Sequence, residues 1–287
     1  MTITPQMVKT LRDKTGAGMA DCKKALSEND GNMDAAIDFL RKKGAASAAK
    51  RADREAKEGA VIAKTKGQKA IIVEINSETD FVAKNVQFVE YANNVAEALL
   101  KADVENNNTE ELFKIKYENN TIEQLHNDVL AKFSEKIEIS RFKTVKSTGY
   151  VESYIHIGNK LAVLVEVSCA NISEESKVLL RDIAMQIAAM NPTYIDKTEV
   201  TAETLEKEKQ IYIEQAIAEG KKPEIAERIA IGKTEKFYEE FCLMQQIFVK
   251  DSSKRVADVV KEIATASNCN DLHIVSFVRF ALGGQEK

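Results

Sequence analysis

GAVIAKTKGQKAIIVEI, residues 59–75, decides the fold. The runs GAVIAKT and KAIIVEI read as strands, and Lys66-Gly67 between them is a hairpin signal. Downstream, residues 84–102 read as an amphipathic helix and 121–136 as another, with IEISRFKTV from Ile137 as a strand. Between the helices, residues 103–120 hold Asn106-Asn107-Asn108 and Asn119-Asn120 and read as a loop-rich insertion. The pattern then recurs about 90 residues on: Gly149-Tyr150-Val151 matches Gly59-Ala60-Val61, and Val165-Glu166-Val167 matches Val73-Glu74-Ile75. Helices at 173–190 and 252–266 and a strand at 272–281 complete the second copy. The expectation is an α+β chain with a duplicated ββααβ core.

Upstream of the hairpin, Thr4 can cap a helix that starts at Pro5 and stops at Gly16, a second helix covers 19–27, and a third starts after Asn32 and ends before Gly44. AASAAKRADREAKE, residues 45–58, carries almost no large apolar residue and reads as a solvated helical linker. Inside the second copy, a helix at 201–219, a stop at Gly220 and a helix from Pro223 with Ala226, Ala230, Phe237 and Phe241 on one stripe predict an inserted antiparallel helical hairpin. The expected domains are residues 1–44, the linker 45–58, a core half at 59–148, a second half at 149–198 and 242–287, and the hairpin arm at 199–241.

The 287 residues are 44% hydrophobic, enough to bury such cores, and the net charge of -4 lacks the basic excess that phosphate-backbone binding demands. Nucleic acid is not expected as a partner. Cys22, Cys169, Cys242 and Cys269 lie far apart without a CxxC pair, so neither a zinc site nor a disulfide framework is expected, and the thiols are read as buried and reduced. No apolar targeting segment and no uncharged apolar run of membrane-spanning length occur, which points to a cytoplasmic protein without membrane contact.

An enzyme reading has little to stand on. His126, His156 and His273 fall in separate elements without ligand spacing, and no phosphate-loop motif is present, so no catalytic residue, metal or cofactor is expected. Lys50-Arg51 with Arg54 is interleaved with Asp53, Glu55 and Glu58 and reads as a solvated face. Thr79-Asp80-Phe81-Val82 places an acid and a large aromatic directly after a strand. Local sequence leaves two readings equal: an exposed docking probe, or a Phe81 tucked under its sheet with Asp80 capping the next helix.

VKTLRDKTGAGMADCKKAL at 8–26, NSETDFVAKN at 76–85, DIAMQIAAMNP at 182–192, KPEIAERIAIGKTEKF at 222–237 and SFVRFALG at 276–283 together resemble the translation elongation factor Ts family. The resemblance covers nearly the whole chain in order. It implies a guanine-nucleotide exchange factor for elongation factor Tu, in its GDP-bound and nucleotide-free forms, which binds no nucleotide itself. It also implies a ubiquitin-associated-like N-terminal domain, a duplicated core and a protruding coiled-coil arm. Thr79, Asp80, Phe81 and Val82 would press on the partner near its Mg²⁺, with Asp80 and Phe81 as the wedge. Arg12, Met19 and Gln186 would make further contacts. Gln186 stands where some relatives carry histidine, the C-terminal helical module of some members is not expected here, and the Asn-rich insertion has no assigned role. A non-catalytic adaptor, and a homodimer through the arm, stand as alternatives.

Overall fold

The structure is a computed structural model describing residues 2–284. It is a mixture of helices and small sheets, and residues 2–145, 157–162 and 280–284 form one compact unit while 146–156 and 163–279 form the other. The first unit begins with α1 (Pro5–Thr15), α2 (Met19–Glu28) and α3 (Met33–Ala49). Thr4 Oγ1 accepts from the Met7 N–H at 3.2 Å, and Asn32 Oδ1 accepts from Asp34 and Ala35, both at 3.1 Å, so α1 and α3 are capped where the sequence places their starts. Val8, Leu11, Cys22, Leu26 and Leu40 bury a small core among the three helices.

There follow β1 (Glu58–Lys66), β2 (Lys69–Ser77), α4 (Asp80–Ala83), α5 (Val86–Lys101), α6 (Thr109–Lys114), β3 (Lys116–Tyr117), β4 (Asn120–Thr121), α7 (Ile122–Lys132) and β5 (Ile137–Lys146). β1 and β2 pair antiparallel from Glu58 with Ser77 to Lys66 with Lys69, and β5 lies on the other side of β2. Ile62, Val73 and Ile75 from the sheet share one core with Phe88, Val95 and Leu99 of α5 and Phe142 of β5.

Three expectations in this half need correction. α3 does not end before Gly44 but continues to Ala49. A Cβ on Gly44 would lie 2.8 Å from the Ala131 Cα, so this glycine is where α3 presses against α7, not a stop signal. Nor is 45–58 a solvated helical linker, because after Ala49 the chain turns. Arg51 is buried there, and its Nη1 donates to the carbonyls of Phe133 at 3.1 Å and Glu135 at 2.6 Å. The Asn-rich insertion, third, has a structural role. Asn107 Oδ1 accepts from the Phe142 N–H at 2.7 Å, and Asn106 Oδ1 accepts from the Thr144 N–H at 2.8 Å. Asparagine side chains thus occupy ladder donors of β5 that would otherwise be open to another strand.

The second unit is built on β6 (Tyr150–Ile155), most of β7 (Leu161–Val167), α8 (Glu174–Met190), α9 (Ala202–Ala218), α10 (Pro223–Phe241), β8 (Ile247–Phe248), β9 (Asp251–Arg255), α11 (Val256–Ala266) and most of β10 (Ile274–Ala281). The sheet orders β1-β2-β5 and β6-β7-β10 are the same topology used twice. A Cβ on Gly59 would collide with the Ile75 carbonyl oxygen, and one on Gly149 with that of Val167. The two glycines matched by sequence therefore meet the same close approach in both hairpins. α9 and α10 pack on each other, with Lys233 Nζ over the Tyr212 ring and Ala216, Ala226 and Ala230 buried. Residues 252–255, read as helix, form β9 instead, and α11 starts only at Val256.

The cysteine reading is overturned in part. Cys169 and Cys269 form a disulfide across 100 residues of sequence. The Ser168 N–H donates to the His273 carbonyl at 3.0 Å, so the end of β7 and the approach to β10 are neighbours in the sheet and carry the two cysteines together. Cys22 and Cys242 are free and buried, and burial raises both thiols, Cys242 to about 11.

Candidate functional site

β2 ends at Ser77, and the chain turns at once into α4, only four residues long. Thr79 is its N-cap, with Oγ1 accepting from the Val82 N–H at 3.4 Å. The next two residues part company. Phe81 is 83% exposed, whereas Val82 is buried in the core shared with Phe88 and Ile75. The tucked-under reading of Phe81 is therefore excluded, and so is Asp80 as a cap. Val82, 8% exposed, packs into that core and anchors the turn.

Asp80 Oδ2 accepts from Lys84 Nζ at 2.6 Å. That bond, aided by the charges of Lys84 and Lys160, holds its carboxyl below the usual carboxylate range, so Asp80 is ionised at neutral pH. The site is thus a bare aromatic ring beside a paired carboxylate. Burying that ring in a partner would release about 1.5–3 kcal/mol that solvent exposure now withholds.

Arg12 is exposed near the end of α1, and Met19, 47% exposed, is the first residue of α2. The turn at 16–18 joins the two helices. Both side chains are accessible on the three-helix module. Gln186 is a different case, being wholly buried on α8. Its Nε2 donates to Gln246 Oε1 at 3.0 Å and to the Ile247 carbonyl at 3.1 Å, and its Oε1 accepts from the Val249 N–H at 2.7 Å. Its amide is fully engaged within its own unit. What it does is hold the segment 246–249, whose Ile247 and Val249 are exposed.

The Tyr91 hydroxyl meets His126 Nδ1 at 2.7 Å, and the Tyr154 hydroxyl meets His156 Nδ1 at 2.9 Å. Among the described residues no group of three or more His, Cys, Asp or Glu side chains is placed to hold a metal ion, and no helix is long and apolar enough to cross a membrane.

An exposed aromatic on a capped turn after a hairpin is one feature; its setting in the whole chain is the more specific one. A family model described as Elongation factor TS matches residues 78–284. The chain is 46% identical over 287 residues to Elongation factor Ts of Chloroherpeton thalassium, covering 98% of both chains. It is 43% identical over 286 residues to Elongation factor Ts of Chlorobium phaeobacteroides, covering 98% of this chain and 99% of the relative. To Elongation factor Ts of Halothermothrix orenii it is 40% identical over 291 residues, covering 100% and 95%. With likeness of this extent running through the turn that carries Phe81, the chain belongs to the elongation factor Ts family.

Proposed function

We propose that this protein is a guanine-nucleotide exchange factor that docks on elongation factor Tu in the cytoplasm and speeds GDP release. The observation that carries the reading is Phe81, an aromatic 83% exposed on a turn whose flanks are fixed by the buried Val82 and the capping Thr79. An aromatic presented on an anchored turn is the kind of side chain that carries an interface when a partner's pocket takes it in.

The lever is the partner's magnesium ion. Mg²⁺ demands near-ideal octahedral geometry, so a small displacement of the groups around it weakens a nucleotide it bridges. Factor and GDP then oppose each other reciprocally, and this chain needs neither a nucleotide site nor a catalytic residue of its own. Phe81 alone supplies about one to two powers of ten, from about 1.5–3 kcal/mol at 1.36 kcal/mol per tenfold. Faster exchange requires other surfaces to hold the probe in place. Arg12 and Met19 on a ubiquitin-associated-like module at 1–44, and Ile247 and Val249 presented through Gln186, are the surfaces we assign to this. Residues 199–241 would act as a coiled-coil arm between the two parts of the second core half, available for association, self-association included.

The test is stopped-flow release of labelled GDP from elongation factor Tu at several factor concentrations. Asp80→Ala with Phe81→Ala is expected to keep the half-saturating concentration within about threefold while slowing the plateau rate by about ten- to a hundredfold. An unchanged plateau would sink the reading, and an adaptor would leave GDP release alone even in its parent form.

A further inference from the structure

Two carboxylates cross between the turn that carries Phe81 and the connection from α7 to β5. Glu135 Oε2 accepts from the Thr79 main-chain N–H at 3.0 Å, and Glu135 Oε1 accepts from the Thr79 hydroxyl at 2.6 Å. In the other direction, Glu78 Oε1 accepts from the Lys136 main-chain N–H at 2.6 Å. Each segment therefore satisfies a backbone donor of the other with a side chain, a link between two loops that no sheet pairs. The brace is itself braced: Arg51 Nη1 donates to the Phe133 and Glu135 carbonyls, and Arg54 Nη1 donates to Glu78 at 3.2 Å.

Thr79 is the residue that this link grips hardest, and it is the N-cap of the helix whose second residue is Phe81. A helix of four residues has too few internal hydrogen bonds to fix its own direction. Its orientation must come from outside, from Val82 below and from Glu135 at its start. We infer that Glu135 is a positioning residue for nucleotide exchange, aiming Phe81 by holding both donors of Thr79. The inference rests on the docking role proposed for Phe81.

GDP release from elongation factor Tu, measured with the full chain over a range of factor concentrations, separates aim from affinity. Glu135→Ala is expected to lower the plateau rate about tenfold, comparable to losing charge-assisted hydrogen bonds, and to leave the half-saturating concentration within about twofold. Combined with Phe81→Ala it should cost nothing further, because an absent ring cannot be misaimed. Glu135→Gln should restore most of the plateau rate: its oxygen can accept the Thr79 N–H and its amide can donate to the Thr79 hydroxyl. Thr79→Val, which removes the hydroxyl that donates to Glu135 and with it the cap of α4 but leaves the Thr79 N–H on Glu135, serves should Glu135→Ala fold poorly, and is expected to lose part of the same plateau rate. A plateau unchanged in folded Glu135→Ala, or in Thr79→Val should Glu135→Ala fold poorly, or a Glu135→Ala loss that adds in full to that of Phe81→Ala, overturns the inference. If Phe81→Ala alone leaves the plateau unchanged, the docking role falls and the inference falls with it; if Phe81→Ala slows release and Glu135→Ala does not, only the inference falls.

Discussion

His126 packs against Phe113 and Tyr91, with its Nδ1 2.7 Å from the Tyr91 hydroxyl. Burial lowers its pKa from 6.5 to about 4. The unfolded chain therefore takes up a proton first as the solution is acidified. The stabilisation is complete above pH 6.5 and is lost as pH falls from there towards 4, by up to about 3 kcal/mol. Urea unfolding at pH 7.5 and pH 5 should show this loss, and His126→Gln should show a smaller one; an equal fall in both proteins would assign the acid sensitivity to other groups. Residue-level roles were only half legible in sequence. Thr79, Asp80, Phe81 and Val82 form too short a stretch for any periodicity to say which side chain faces out, so Phe81 and Val82 looked alike until their opposite burial was seen. The burial of Gln186 is hidden from sequence for a related reason. A polar residue in DIAMQIAAM suggests exposure, but three hydrogen bonds within its own unit let this amide sit wholly inside.

Strands and helices were easier to read than their ends. The short apolar runs of β1 and β2, buried almost without a break, and the caps Thr4 and Asn32, act within a few residues of themselves, so sequence carries them directly. The burial of Ala226, Ala230 and Phe237 likewise follows from their spacing on α10. What failed depended on distant partners. Gly44 looked like a terminator because its reason for being glycine, Ala131, lies far along the chain. β9 is polar and mostly exposed, with no alternation of its own, and exists through its pairing with β8. The matched glycines give the sharpest check at this scale. Gly149→Ala forces a methyl against the Val167 carbonyl and should cost about 1–3 kcal/mol, read as a lower urea midpoint with an unchanged slope. Stability equal to the parent would mean that the hairpin opens there without cost.

At the scale of the molecule, the order of elements was visible because the same hairpin, helix and strand signals occur twice, while the Cys169–Cys269 bridge was not, since spacing says nothing about a pair 100 residues apart. The bond turns the segment from Cys169 to Cys269 into a covalent ring, and α8, α9, α10 and α11 all lie on its circumference. Cutting a ring once opens it without releasing a piece. A protease nick in the exposed turn at 219–222, between α9 and α10, should leave one band on a gel run without reductant and two bands with it; two bands in both lanes would show the sulfurs unjoined. The peptide backbone through the helical hairpin is thus duplicated as a tether: severed at its tip, the chain still holds β7 and β10 on a single covalent thread.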